Sequence, residues 1–478
     1  MRKPVLLAAL ILAAATPTVR AQDADMQKYI NRAIKKGVAA IRAHPRDIND
    51  MYRYQGQEVG LNALIAWTLL ESDVPPTDEL LAKLTQAMRD RALQQTHIYT
   101  ISVLLMFFDR LGDPGDEPII EYLALQLLRM QTSAGGWTYS GPGLDRKEKQ
   151  RVLELVARAH EQREKGEIGP SKLKPSERKP RAVSPYMAQA VEEIESQPRL
   201  AVLPGDNSNT QFAMLALWVA RRHGVPVEEA LVRVVSRFQR SQQANGGWAY
   251  EYDPLNPKAA TRPVTCTMSC AGMLGLALGH GITRKKDEKK PADLKKDPYV
   301  KEAMRLMDEI MKETRDEKDV KLLAKPGYFH YFLFSLERMA VVYNLKKIGD
   351  KDWYKWGAKI LVDTQHPTGN WYGEHGLADT CFALLFLKRA NVAEDLTFNL
   401  MGITKDPLIK KKGPGKKSEP DPFELPKLIP KDKKKTKGAL RGGGRLELAG
   451  FDHRSSMEIR DLRVRAALHA RSVHPRRP

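Results

Sequence analysis

The chain has 478 residues, 28% charged and 42% hydrophobic, with a formal net charge of +20. That length suits one large single-cored domain or two ordinary ones. Three cysteines, Cys266, Cys270 and Cys381, exclude a disulfide framework. Past the leader, no stretch reaches the about 18 uncharged apolar residues that a membrane span needs, so no mature transmembrane helix is expected.

The leader comes first in the chain. Arg2 and Lys3 precede an apolar run from Val5 to Ala15, and TVRA ends at the small residue Ala21. This pattern predicts an export signal over residues 1–21 and a periplasmic or extracellular protein, with anchoring by an uncleaved signal as the alternative.

From there the hydrophobic pattern alternates. Residues 28–43 place Ile30, Ile34, Val38 and Ile41 at helical spacing, and VGLNALIAWTLLES that follows is apolar nearly all round. Residues 77–92 are amphipathic and YTISVLLMFFDRLGD is apolar. The same order returns with 117–131 and NTQFAMLALWVARRHG, then with 227–242 and TCTMSCAGMLGLALGHG. It returns again with 298–313 and YFHYFLFSLERMAVVYN, and with 352–365 and DTCFALLFLKRAN. The reading is six helical hairpins, each an amphipathic helix followed by one buried on most sides. The Gly-containing sequences RLGD, RRHGV, LGHGI and KKIGD are read as helix stops, and Thr77 as a helix start. Asn209, Thr210, Thr265, Asp379 and Thr380 are read as N-terminal capping residues.

Two segments depart from this order. Residues 141–207 contain a charged helix candidate and then GPSKLKPSERKPRAVSP, a linker by composition that predicts early proteolysis near 168–185. From 401 to 478 the chain is rich in Lys, Pro and Gly, which predicts a disordered basic tail. Residues 391–478 hold 21 Lys and Arg against 11 Asp and Glu. In an exported protein such a tail fits an anionic cell-envelope polymer better than nucleic acid.

One spaced motif occurs three times. Gln131 to Trp137 reads QTSAGGW, Gln242 to Trp248 reads QQANGGW and Gln365 to Trp371 reads QHPTGNW. Each is Gln, three residues, Gly, Gly or Asn, Trp, and such recurrence points to repeat architecture. The amide of Gln can serve helix-end groups, Gly permits a left-handed turn, and Trp covers the junction. All six Gln and Trp residues are therefore read as structural, with each Trp buried beside its own Gln.

The motif resembles the QW repeat of squalene and oxidosqualene cyclases and of protein prenyltransferase β-subunits. Motifs and helical pattern together cover roughly residues 27–392. The resemblance implies an all-α fold, an α/α toroid, and six hairpins make it an α6/α6 toroid over residues 22–400. It also implies that function sits at the cavity mouth, where helix N-termini favour an anionic or hydroxyl-rich ligand. The candidates there are Asp206, Asn207, Asn209, Tyr252, His330, Glu374, His375 and Asp379, with Tyr250, Cys266 and Tyr328 beside them.

The families' own chemistry is only partly represented. The DxDD acid of the cyclases is absent, and 7% aromatic content is low for a carbocation cavity. Asp379-Thr380-Cys381 matches the Asp-x-Cys zinc pair of the prenyltransferases, with His330 or His375 as the remaining ligand. The competing reading is a capping Asp followed by a core Cys, and no cofactor is expected. The sequence therefore points to an exported toroid that binds a ligand or partner at its cavity mouth. The alternatives are a carbohydrate-active lyase or hydrolase and a terpenoid or prenyl-lipid enzyme, zinc-dependent in one version.

Overall fold

A computed structural model describes residues 17–44, 58–199, 205–255, 263–283, 294–314, 328–390 and 400. The described residues all belong to one compact unit, 1–410. Residues 1–16 of the predicted 1–21 leader and the predicted tail over 401–478 lie outside them.

Fourteen helices make up the described residues, with two short antiparallel strand pairs. They are α1 (Pro17–Ala43), α2 (Glu58–Glu71), α3 (Glu79–Arg91), α4 (Ile98–Leu111), α5 (Glu117–Met130), α6 (Arg146–Glu164) and α7 (Pro185–Ser196). After them come α8 (Asn207–Ala220), α9 (Glu228–Ser241), α10 (Cys266–Thr283), α11 (Pro298–Glu313), α12 (Phe329–Val342), α13 (Trp353–Thr364) and α14 (Leu377–Leu387). Strand β1 (Gly205–Asp206) pairs with β2 (Glu251–Tyr252), and β3 (Lys347–Ile348) with β4 (Lys351–Asp352). No described helix is long and apolar enough to cross a membrane.

The apolar sequences form α2, α4, α8, α10, α12 and α14, the core helices. A helix that is apolar on every side must be covered on every side. Accordingly α2 packs on α4, α4 on α8, α8 on α10, α10 on α12, α12 on α14, and α14 returns to α2. Every residue of α8 is buried. The amphipathic helices α1, α3, α5, α9, α11 and α13 lay their apolar stripes on these six.

The three Gln–Trp turns share one geometry. Gln131 Nε2 donates to the carbonyls of Gly135 (3.2 Å) and Ala230 (2.9 Å). Gln242 Nε2 does the same to Gly246 and Tyr299, both at 2.8 Å, and Gln365 Nε2 to Gly369 and Ala33, both at 2.9 Å. One amide thus closes its own turn and clasps another amphipathic helix: α5 to α9, α9 to α11, and α13 to α1. Gly135, Gly246 and Gly369 have φ of 80°, 91° and 94°. A Cβ at any of them would meet a backbone carbonyl of the clasped helix, that of Arg233, Glu302 or Lys36. Glycine is required there twice over, by conformation and by space. Each Trp indole donates at 2.8 Å to the carbonyl ten residues back, at Leu127, Phe238 and Leu361. The three indoles are no more than 1% exposed.

Several local expectations change. Helix α3 is capped by Asp78, which accepts from Leu81 N, and not by Thr77. Thr265 does cap α10, but α8 is capped by Asp206. Thr210 and Thr380 lie one turn further in, and their hydroxyls accept the backbone N–H of Trp137 (3.3 Å) and Trp371 (3.1 Å). Ser269 plays that part for Trp248, so the second copy matches the others one helical turn later than TCTM suggests. Gly112 and Gly224 end helical segments in the left-handed conformation. LGHGI does not stop a helix, since α10 runs through it, and Gly349 turns the β3–β4 hairpin.

The 141–199 segment is the larger departure. The predicted charged helix is α6, and the predicted linker lies between α6 and α7; against the expectation of an unpacked insertion, both helices pack on α5 with Val152, Ala159 and Met187 buried. Its arginines meet buried carboxylates. Arg163 joins Arg89 on Asp113 and Asp116 at 2.7–2.8 Å, and Arg178 donates to the backbone carbonyl of Asp109. The acidic counterpart of these arginines lies at the junction of α4 and α5.

Candidate functional site

The N-terminal ends of α4, α8, α12 and α14 converge, and the segments after Trp137 and Trp248 lie across them. Asp206 N donates to Trp137 O (3.1 Å), β1 pairs with β2, and Tyr250 O, immediately before β2, accepts from Asn207 N (2.8 Å).

The predicted polar residues fall into two groups. Asp206, Asn207, Asn209 and Tyr252 form the first, around the fully buried guanidinium of Arg237 from α9. Asp206 accepts from Asn209 through both oxygens, from the backbone N at 2.6 Å and from Nδ2 at 2.7 Å. Burial raises its pKa to about 6 against those two bonds. Arg237 donates to Asn207 Oδ1 (3.1 Å) and Gly205 O (2.7 Å), with its carbon centre 5.1 Å from the Tyr252 ring. Burial lowers the arginine to about 10, opposed by Asp206. This group is buried and holds the start of α8.

His330, Glu374, His375 and Asp379 form the second group. Asp379, fully buried in the first turn of α14, faces His330 Nδ1 at 3.2 Å and accepts from His375 N at 2.8 Å. Because a carboxylate only accepts, His330 Nδ1 carries the proton in this pair. Glu374 and His375 are exposed. The His375 ring lies 4.9 Å from Tyr328 and 6.4 Å from Tyr331, edge-on to both. Desolvation lowers its pKa, against the pull of Asp379 and Glu374.

Between the two groups runs an aromatic and hydroxyl layer. Tyr99 OH donates to Ser208 Oγ (2.6 Å), which also bonds Tyr331 OH (2.7 Å), joining the first turns of α4, α8 and α12. Tyr139 OH and Tyr250 OH lie 2.7 Å apart. The His97, Tyr99 and Tyr139 rings are mutually 5.7–6.2 Å apart, and Tyr99 meets Phe212 edge-on at 5.2 Å. Tyr139 is 41% exposed, and His97, Tyr99 and Tyr250 are partly exposed. Desolvation lowers His97 to about 4 and raises Tyr99, Tyr250 and Tyr331, so these groups are uncharged at neutral pH. Below the layer, Phe212 stacks on Phe334 (5.5 Å), Gln211 Nε2 donates to Ser335 Oγ (3.0 Å), and Phe334 meets Trp67 at 6.3 Å.

His97, Tyr99, Tyr139, Ser208 and Tyr331 were not singled out from sequence. The signal was available in part: Tyr139 and Tyr250 each stand two residues after a repeat Trp. In the third copy the tyrosine comes one residue after Trp, and Tyr372 is 64% exposed beside His366.

The three cysteines are free and buried. Burial pushes the Cys266 thiol up to about 12 and raises the Cys270 thiol well above its ordinary value, which leaves neither as a thiolate nucleophile. Among the described residues no three His, Cys, Asp or Glu side chains assemble as a metal site. No model of a known protein family matches the chain, and no match is found among curated proteins.

Proposed function

We propose that this chain is an exported α6/α6 toroid of the squalene-cyclase and prenyltransferase repeat type that binds a polar ligand at its mouth. The toroid reading draws on the packing order that leads from α2 back to α2, and on the clasp from Gln365 to Ala33, 332 residues apart in the chain. Export follows from the leader, and the basic tail would carry the protein to an anionic cell-envelope polymer.

The observation that carries the ligand reading is the Tyr99–Ser208–Tyr331 layer with the partly exposed rings above it. Cyclase chemistry needs an open, dry interior and a strong acid. Phe212, Phe334, Gln211 and Trp67 meet below this layer, and Asp206 and Asp379 are engaged in holding helix starts. Binding therefore fits better than catalysis.

The test is a thermal-shift screen of the full chain with oligosaccharides, isoprenoid diphosphates, squalene and divalent metals. The expected result is stabilisation by a polar organic ligand, with squalene recovered unchanged. Turnover of squalene or of farnesyl diphosphate would overturn the reading, as would stoichiometric zinc.

A further inference from the structure

Resting on that mouth-binding reading, we infer that the ligand is an uncharged, hydroxyl-rich ring compound, namely an oligosaccharide of neutral sugars, seated on His97, Tyr99, Tyr139 and Tyr250. A sugar ring has an apolar C–H face and a rim of hydroxyls. The first needs an aromatic plate and the second needs groups that both donate and accept. His97 and Tyr99 stack with an interplanar angle of 30°, and Tyr139 stands against both as a wall. The Tyr139 and Tyr250 hydroxyls meet at the rim, and the Ser208 and Tyr331 hydroxyls form the floor.

The same features argue against the two rival ligand classes. An anion would look to helix N-termini and cations. Yet Asn209 N at the start of α8 is taken by Asp206, Asn207 N by Tyr250 O, and Met268 N of α10 by Thr265. Asp379 places a second buried carboxylate in the first turn of α14. Arg237, the nearest buried cation, donates to Asn207 and Gly205 beneath the strands. A hydrocarbon would cover the tyrosine hydroxyls without offering them a partner.

The test is calorimetric titration of the full chain with cellohexaose, maltohexaose, chitohexaose and xylohexaose, against oligogalacturonate and farnesyl diphosphate. At least one neutral hexasaccharide should bind. Tyr139→Ala and Tyr250→Ala should weaken it about tenfold or more at unchanged melting temperature, and Tyr139→Phe should weaken it less. Affinity should stay level from about pH 6.5 to 8.5, because the lining stays neutral. If the galacturonate or the diphosphate binds in a Tyr250-dependent way and no neutral sugar does, the inference fails and the mouth-binding reading survives. If nothing binds, or if binding ignores the mouth variants, both fail.

Discussion

At their N-terminal ends α4, α8 and α12 present tyrosine rings, a serine and neutral hydroxyls, while the C-terminal ends of α4 and α8 carry a dense charge network. There Asp109 accepts from Arg222 (2.7 Å) and His223 Nε2 (3.0 Å), and His223 Nδ1 meets Glu117 at 2.8 Å. With a carboxylate on each ring nitrogen, His223 is held as an imidazolium. Burial alone would lower its pKa, but Asp109 and Glu117 outweigh burial and raise it. Arg110 and Glu71 pair nearby at 3.1 Å. Buried charges that satisfy one another have no capacity left for a ligand, and they become costly when one partner is removed. Partly exposed rings and hydroxyls keep that capacity. The charged end is therefore the structural one, and the neutral end is the one we propose for binding.

The largest expected effects lie in the frame. Trp248→Ala removes a buried indole and its bond to Phe238 O, and should cost about 3–5 kcal/mol in urea denaturation. Asp109→Ala strands Arg222 and His223, and should cost a similar 3–5 kcal/mol or so while leaving ligand affinity unchanged in the folded protein. A loss of affinity without a loss of stability would reverse the assignment of the two ends.

A smaller effect comes from Asp206. Its folded pKa of about 6 lies above the ordinary 3.8, so the folded state binds the proton more tightly. That contribution is fully present below the ordinary value and is lost as pH rises through about 6. Relative to Asp206→Asn, which cannot ionise, the native chain should lose about 2–3 kcal/mol between pH 4 and pH 7. A stability difference that stays level across that range would show that Asp206 is not buried as described. The smallest effect is Tyr139→Phe, which should change stability by no more than about 0.5 kcal/mol, because its hydroxyl sits at an exposed rim.

Much of the frame could be read in advance because it depends on periodicity. Six apolar helices and their amphipathic partners follow from residue spacing alone, and Gln131, Gln242 and Gln365 announced a shared local geometry. What Gln clasps was not legible, since Ala230, Tyr299 and Ala33 are brought near only by packing. In the 141–199 segment the charged helix was legible, but its packing was not, since the partners of Arg163 and Arg178 are Asp109, Asp113 and Asp116, far away in sequence. At the site, Asp206 and Asp379 stood out because charge is conspicuous in apolar surroundings, and both turn out to hold helix starts. Tyr99, Ser208 and Tyr331 come from three separate helices, and nothing in their local sequence marks them as neighbours.

Amide hydrogen exchange of the full chain, with and without the mixture of neutral hexasaccharides, tests the contrast between the two ends most directly. Added protection is expected at 97–99, 139–140, 206–209, 250–252 and 328–331, with 109–117, 178–182 and 221–223 unchanged. Protection that appears at the charged end, or none at either end, would contradict the account.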